Sequence, residues 1–217
     1  MTTDNIVTIR KFIHKDRKDV RRICCETALM GEPSSIFFDD DEIFADALTL
    51  YFTDYEPESS FVAEDNHKVV GYLLGAKDVK IAHKVFTNNI VLPLFFKSLF
   101  RGTFFKKKNI FFFLHVLMSL MKGEFKAPDF SRNYPATLHI NIDEYFRGQG
   151  IGSKLINNYL KYLRGQCITG VHFATMSDKT SNFFVKQGFN LLFQSKRSYF
   201  RYILHKATPI YIYGRKL

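Results

Sequence analysis

The segment FRGQGIG, residues 146–152, is the feature that most restricts how this chain can fold. It follows an alternating segment, ATLHINID (136–143), that predicts a β-strand. It precedes SKLINNYLKYLRG (153–165), whose periodicity predicts an amphipathic helix. Three glycines in five positions allow backbone conformations and close approaches that other residues do not allow. Either this turn serves packing alone, or its backbone must come very close to a ligand.

The rest of the chain predicts an α/β domain built around one sheet. Before the glycine segment, the pattern predicts a strand (5–12), two helices (14–30 and 37–55) and a hairpin that turns at Asn66 and His67. After it, the pattern predicts a helix, a strand, a short helix and further strands, including SYFRYILHK (198–206) and an edge strand at PIYIYGRKL (209–217). Strands that alternate with helices favour helical layers on a sheet, so we predict a single domain over residues 1–217.

Composition places the chain among globular proteins, with 46% hydrophobic and 24% charged residues. Its longest apolar runs, NIVLPLFF and NIFFFLHVLMSLM, are shorter than the roughly 18–20 residues that span a bilayer, and no signal peptide is visible. Cys24, Cys25 and Cys167 have the spacing of neither a disulfide framework nor a zinc site. We therefore predict buried cysteines in a reducing, cytoplasmic protein.

The spacing of the glycines excludes two nucleotide-binding motifs. A Walker loop requires GxxxxGK, but Gly148 and Gly152 are one position too close and Ser153 stands in place of the lysine. A dinucleotide fingerprint requires GxGxxG with an acidic residue about 20 positions later, and neither condition is met. A third pattern fits, in which Arg147 is followed by Gly150 and Gly152 at the start of a helix. Such a loop exposes backbone N–H groups at a positive helix terminus, which suits a pyrophosphate.

This third pattern resembles the pyrophosphate-binding motif of the GNAT superfamily of N-acetyltransferases. LHINID (138–143) lies where that family has its central strand, and SDKTSNFFVKQGF (177–189) resembles its final helix-to-strand motif. The resemblance covers about residues 5–76 and 136–206. It implies the GNAT, or acyl-CoA N-acyltransferase, fold: a mixed, mostly antiparallel sheet of about seven strands flanked by helices. Nearly the whole chain further resembles the subgroup related to the acetyltransferase-like domain of O-GlcNAcase proteins.

The resemblance also implies acetyl-CoA as co-substrate and no metal. The pantetheine chain is expected between two splayed strands, hydrogen-bonded to the backbone of Ile140 and Ile142, where a backbone N–H also offers an oxyanion donor. The other cofactor-binding residues that it implies are Arg147, Gly148, Gln149, Gly150, Ile151, Gly152, Ser153 and Ser177.

The catalytic residues are less well defined by the sequence. The family's tyrosine, which lies near the CoA sulfur, corresponds to Phe184, which cannot donate a proton, and the family's asparagine corresponds to Ser177. Alternation on the central strand puts Leu138, Ile140 and Ile142 on one face and His139, Asn141 and Asp143 on the other. His139, together with Asn141, is a candidate proton relay, with Glu144 or Tyr134 nearby. The alternative is that His139 is structural, as we expect His172 to be.

Residues 77–135 carry much of the net charge of +10, with 11 lysines and arginines and only three acidic residues among many phenylalanines. We predict two or three short helices here, as a basic, mainly helical insertion between strands 3 and 4. Three roles for this insertion are open. It could cover the acceptor cleft or form a homodimer contact, it could associate with a membrane surface, or it could bind nucleic acid or another anionic partner.

Three functions are therefore considered. The first is an acetyl-CoA-dependent N-acetyltransferase that transfers the acetyl group directly to a primary amine in a ternary complex. The second is a catalytically weak CoA-binding or regulatory module, and the third is a basic adaptor for membrane or nucleic acid. The sequence does not identify the acceptor, because acceptor pockets are built from variable loops.

Overall fold

The computed structural model describes residues 7–177 and 181–217. Seven strands form in this part of the chain: β1 (Thr8–Lys11), β2 (Phe61–Asp65), β3 (Lys68–Ala76), β4 (Thr137–Ile142), β5 (Gly170–Thr175), β6 (Asn190–Arg197) and β7 (Thr208–Lys216). The α-helices are α1 (Arg17–Glu26), α2 (Asp41–Leu50), α3 (Val79–Val85), α4 (Val91–Phe100), α5 (Lys107–Met121), α6 (Ile151–Gly165), α7 (Ser181–Lys186) and α8 (Arg201–Leu204). The predicted α/β class is therefore confirmed.

The strands form two antiparallel sheets, one ordered β1-β2-β3-β4 and the other β5-β7-β6. A single parallel bridge between Ala136 and Val171 joins the sheets where β4 and β5 begin. Beyond this bridge the two strands separate. The sequence predicted one continuous sheet of about seven strands, whereas the structure has one sheet of four strands and one of three. The separation leaves one edge of β4 open.

Helices pack on both faces of the first sheet. On one face, the α6 side chains Leu155, Tyr159 and Leu163 lie fully buried in the largest apolar core. The Tyr159 hydroxyl lies 3.0 Å from Ala76 O and 2.7 Å from Thr137 O, so it ties the ends of β3 and β4 to α6. A Cβ at Gly75 would lie only 2.2 Å from the Tyr159 ring, which explains the glycine there. On the other face, the α1 residues Val20, Ile23 and Cys24 are buried in a second apolar core.

The segment between β3 and β4 is helical, as predicted, and it is held on α2 by ion pairs. Asp40 begins α2 by accepting from Ile43 N at 3.3 Å and also binds the Arg101 guanidinium at 2.9 Å. Lys97 binds Asp46 at 2.7 Å, and Lys108 binds Asp39 at 2.6 Å. Much of the positive charge of this segment is therefore neutralised inside the molecule. That the segment is an insertion into the fold stays a prediction.

The sequence interpretation of the C-terminal strands was wrong in two respects. SYFRYILHK contains no strand, because Tyr199, Phe200, Ile203 and Leu204 recur at helical spacing; it forms a tight turn and α8, and packs these side chains into a third apolar core. PIYIYGRKL is not an edge strand, since β7 lies between β5 and β6 and pairs with both. The predicted hairpin is confirmed, because Asn66 and His67 both adopt positive φ (46° and 63°), as a tight hairpin turn requires.

Two of the three cysteines lie where the sequence predicted. Cys24 and Cys25 are buried, whereas Cys167 is exposed, because it lies in the turn that follows α6 and has a φ of 56°. All three are free thiols. Among residues 7–177 and 181–217, no helix is long and apolar enough to cross a membrane.

Candidate active site

The glycine segment forms an open loop at the start of α6. Gly148 and Gly150 adopt left-handed conformations, with φ of +79° and +76°, which L-residues with side chains rarely adopt. Gly150 is the N-cap residue of α6, and no side chain caps the helix. The first intrahelical bond runs from Lys154 N to Gly150 O at 3.1 Å. The preceding N–H groups of the first turn therefore have no helical partner and point out of the helix end.

An anion fits this loop. A Cβ placed on Gly148 or Gly150 would meet no atom within 4 Å, so the space over both residues is open. The unpaired amides and the helix dipole attract negative charge to the same place. Gly152 has a different role: a Cβ there would lie 3.0 Å from Phe183 and 3.3 Å from Ile142, so α7 and β4 pack against it. Gly148 and Gly150 therefore leave the loop open, and Gly152 serves packing.

Three side chains of the loop make hydrogen bonds within the protein that hold its shape. Arg147 Nε donates to Ile142 O at 3.0 Å, which fastens the loop to the end of β4. Gln149 Nε2 donates to Tyr145 O at 3.1 Å. Ser153 Oγ accepts from Gln187 at 3.0 Å, and the Ile151 side chain is buried in the core. These residues can therefore contribute backbone amides to a ligand, whereas their side chains have structural contacts.

The open edge of β4 leads into this loop. Asp143 N donates to Val70 O at 3.0 Å, and Asn141 pairs with Tyr72 two residues earlier along β4. Because the backbone groups of a strand alternate in direction, Ile140 and Ile142 direct theirs away from β3. On that side, His172 N donates to Ala136 O at 2.9 Å, and the described residues of β5 make no backbone hydrogen bond to β4 beyond this point. The Ile140 and Ile142 N–H groups thus face the gap between the sheets, as predicted.

On the other face of β4, a chain of hydrogen bonds runs back to α1. Asn141 Nδ2 lies 2.9 Å from the Tyr72 hydroxyl and 3.4 Å from His139 Nε2. The amide group of Asn141 can only donate through Nδ2, so His139 Nε2 accepts and the proton of the neutral ring is on Nδ1. Tyr72, fully buried, hydrogen-bonds the Cys24 thiol in turn, and its ring stands edge-on to the His139 ring at 5.6 Å. The predicted pair His139 and Asn141 is therefore brought together.

Burial lowers the pKa of His139 from 6.5 to about 4, although the residue as a whole keeps some exposure to solvent. No charged group offsets this effect. The imidazole is consequently neutral throughout the neutral pH range and offers a lone pair rather than a charge. The sequence does not report this lowering of the pKa, because it depends on the burial of the ring in the folded protein.

Other candidates from the sequence have structural partners. His172 Nδ1 lies 2.6 Å from Tyr134 O, in agreement with the structural role expected for this histidine. Asp143 Oδ1 accepts from Tyr145 N at 3.3 Å and so shapes the turn before the glycines, while Glu144 in that turn is exposed. Among the described residues, no group of three or more histidines, cysteines and acidic residues could hold a metal ion.

Phe184 is 4% exposed and packs among aromatic rings, with the Phe173 ring centroid 4.5 Å away and that of Tyr213 5.8 Å away. Its phenyl ring has no donor to offer. Ser177 follows β5, where its N–H donates to Thr175 Oγ1 at 3.3 Å. The residue that sequence reasoning missed is Tyr72. Only the register of β3 against β4 brings it to Asn141, which lies 69 positions later in the sequence, so no local pattern reports it.

With this geometry established, comparison with known proteins identifies the fold. The chain matches the crystal structure of SsHAT with a TM-score of 0.69 and 22% identity, covering 97% of this chain and 98% of that one. It has the GNAT fold. The Drosophila melanogaster polyamine N-acetyltransferase, which catalyses the formation of N-acetylagmatine, aligns with a TM-score of 0.61 and 15% identity over 98% of this chain and 100% of that one. The Sinorhizobium meliloti GNAT phosphinothricin acetyltransferase, in complex with AcCoA, aligns with a TM-score of 0.58 and 14% identity, covering 97% of this chain and 88% of that one.

The sequence match to the GNAT family is regional. Residues 119–189 match the model of the acetyltransferase (GNAT) family. This region contains β4, the glycine loop, α6, β5 and α7, which are the elements that form the candidate site. The predicted GNAT fold is therefore confirmed, and the sequence match to the family covers residues 119–189. The O-GlcNAcase-related subgroup finds no support in these comparisons and stays a prediction.

Proposed function

We propose that this protein is an acetyl-CoA-dependent N-acetyltransferase that transfers the acetyl group directly to a primary amine in a ternary complex. One observation carries the proposal: the uncapped N-terminus of α6 and the open edge of β4 each present N–H groups that have no backbone partner among the described residues, and the two lie at opposite ends of one short turn. Arg147 joins the two by donating to Ile142 O. The alignments with an AcCoA complex and with a polyamine N-acetyltransferase support the proposal.

These two sets of N–H donors have different roles in binding. The amides of Gly148–Ser153, at the positive end of α6, hold the pyrophosphate of CoA. The outward N–H groups of Ile140 and Ile142 hold the pantetheine chain and provide a donor for the carbonyl oxygen as negative charge develops. Acetyl-CoA supplies an acetyl group activated as a thioester. Because the donors are backbone groups fixed by β4 and α6, they need no rearrangement to act.

His139 and Asn141 handle the proton of the acceptor amine in this proposal. The neutral imidazole accepts a proton at Nε2 when this nitrogen gives up its hydrogen bond from Asn141 Nδ2, and in the resting state Asn141, fixed by the Tyr72 hydroxyl, orients the ring. The lowered pKa keeps His139 unprotonated at neutral pH but makes it a weak base. The buried phenyl ring of Phe184 leaves the departing thiolate without the family's usual donor at that position.

The position of Phe184 favours one alternative, a CoA-binding module with weak catalysis. A positioned acid typically contributes about 10²–10⁴-fold to the rate, so its loss can leave binding intact and turnover slow. The two functions differ in a simple experiment. The protein is incubated with acetyl-CoA and a panel of amines, including polyamines, N-terminal peptides and amino acids, and thiol release is followed alongside the ligand-induced thermal shift.

Each outcome has a distinct meaning. A thermal shift with amine-dependent thiol release supports the transferase, and a thermal shift without thiol release supports the binding module. The absence of both contradicts the CoA site itself. The absence of a metal from the reaction, the cytoplasmic location, the homodimer and the single domain over residues 1–217 stay predictions beside this proposal.

A further inference from the structure

The outward faces of α4 and α5 are apolar. On α4, exposed side chains recur at Leu92, Phe95, Phe96 and Leu99, and on α5 at Ile110, Phe111, Leu114, Leu117, Met118 and Met121. These spacings of three and four residues define one stripe on each helix. Phe100, the last residue of α4, is 88% exposed, and Phe105, in the connection to α5, is 74% exposed. We call this set the apolar face.

The buried side of the same helices is polar, which is the reverse of a helix that faces water. Ser98 is 3% exposed, and Thr103, Asn109 and Ser119 are fully buried. Their polar groups are satisfied inside the protein: Asn109 Nδ2 donates to Thr103 O at 2.9 Å, and its Oδ1 accepts from Asp39 N at 2.7 Å. Helices that bury hydroxyl and amide groups while they expose phenylalanine and leucine match a nonpolar environment outside the protein.

Within the segment that contains the apolar face, the charged residues are all basic. No aspartate or glutamate occurs from Val79 to Gly123. Lys97, Arg101 and Lys108 turn inward to the carboxylates of α2. Lys84 and Lys107 are exposed, and within the described residues they form no ion pair. Lys84, at the end of α3, and Lys107, the first residue of α5, are therefore free cations in the segment that contains the apolar face. The acid that follows this segment, Glu124, is bonded to Ser119 and Ser198.

We propose that the apolar face docks on an anionic lipid membrane, with Phe100 and Phe105 entering the interfacial region and Lys84 and Lys107 contacting headgroups. A membrane supplies both an apolar boundary and negative charge. A symmetric dimer through this face would bring the same cations of two copies toward each other without a compensating acid, which disfavours a second copy as the occupant. The proposal is independent of the acetyltransferase function, because none of these residues belongs to the candidate site.

Vesicle co-sedimentation of the full chain tests the proposal. We expect wild type to bind vesicles of phosphatidylcholine mixed with phosphatidylserine, and to bind pure phosphatidylcholine much less. Phe100→Ser combined with Phe105→Ser reduces binding at least about tenfold, because both rings leave the bilayer boundary. Lys84→Gln combined with Lys107→Gln weakens binding and flattens its dependence on salt. Leu191→Ser is the matched control, since Leu191 is 48% exposed on β6, outside the apolar face.

Three results would overturn the proposal. The first is no sedimentation of wild type with anionic vesicles, and the second is equal binding by wild type and the double phenylalanine variant. The third comes from analytical ultracentrifugation without lipid: a wild-type dimer that the phenylalanine variant abolishes, together with absent vesicle binding, would assign the face to self-association. Thermal unfolding of every variant shows that the fold is retained.

Discussion

Replacing Gly150 by alanine separates the ligand role of the loop from its structural role. Gly150 has a φ of +76°, and a Cβ on it would meet no protein atom within 4 Å. The added methyl group therefore creates no clash inside the protein. It projects into the open space where the unpaired amides of α6 are proposed to hold the pyrophosphate. The substitution should leave the fold intact and weaken CoA binding.

The expected magnitudes follow from this geometry. An L-residue in the left-handed region costs roughly 1–2 kcal/mol, partly offset by the lower entropy of the unfolded chain, so the free energy of unfolding falls by about 1 kcal/mol. For a chain of this size that corresponds to a decrease in Tm of about 2–4 °C. A methyl group that prevents close approach of the pyrophosphate should lower CoA affinity at least about tenfold, or about 1.4 kcal/mol.

Titration calorimetry with CoA measures the affinity, and Gly102→Ala is the matched control. Gly102 also has a left-handed φ, +67°, and open space around it, but it lies between α4 and α5. The two variants should lose similar stability, whereas only Gly150→Ala should lose affinity. Equal CoA affinities for the two variants would refute the reasoning, because they would show that the space over Gly150 is not occupied by the ligand.

Three further predictions concern His139, Arg101 and Phe184. The folded protein holds the pKa of His139 at about 4, below its ordinary value of 6.5, so the unfolded chain binds the proton first as pH falls. The free energy of unfolding should therefore decrease as pH falls from 6.5 to 4, by up to about 3 kcal/mol. Denaturant unfolding of His139→Gln should show a smaller decrease over the same pH range. An identical decrease in the variant would contradict the lowered pKa of His139. Burial raises the pKa of Asp40, but the hydrogen bonds from Arg101, Thr103 and Ile43 N outweigh it and lower the pKa to about 2. Arg101→Gln should therefore destabilise the packing of the α4–α5 connection on α2, and adding Asp40→Asn should recover part of the loss; strict additivity in the double-mutant cycle would show that the pair does not interact. Phe184→Tyr should raise kcat about tenfold or more with saturating acetyl-CoA and a found acceptor, since it adds a donor where the family has one; an unchanged kcat in a folded variant would mean that thiolate protonation does not limit turnover.

The local features of the fold could be predicted from the sequence because each depends on residues close together in the chain. The capping of α2 by Asp40, the turn at Asn66 and His67, and the strand, glycine loop and helix around Gly150 all follow local rules. The alternation along β4 also correctly placed Ile140 and Ile142 on the core face opposite His139. These are the elements that define the cofactor half of the candidate site.

The features that the sequence did not predict depend on tertiary contacts. The segment 198–206 contains enough aromatic and branched residues to suggest a strand, but its helical spacing gains more by packing Phe200 against Phe37 of the third core. The lowered pKa of His139 arises from burial, which composition cannot report. Lys97, Arg101 and Lys108 pair with acidic residues in and just before α2, more than 50 residues away in the sequence. The sequence does not show these ion pairs, so the count of lysines and arginines gave too high an estimate of the unpaired positive charge.

Amide NMR spectra recorded during a CoA titration test the central claim most directly, because the proposed site consists of backbone N–H groups. The account predicts that the largest shifts occur at Ile140, Ile142 and residues 148–153, and that they saturate together at one equivalent of CoA. Amides of α4 and α5 should barely move. Saturable shifts confined to another region, or no shifts at residues 148–153, would contradict the claim that the α6 terminus and the β4 edge bind the cofactor.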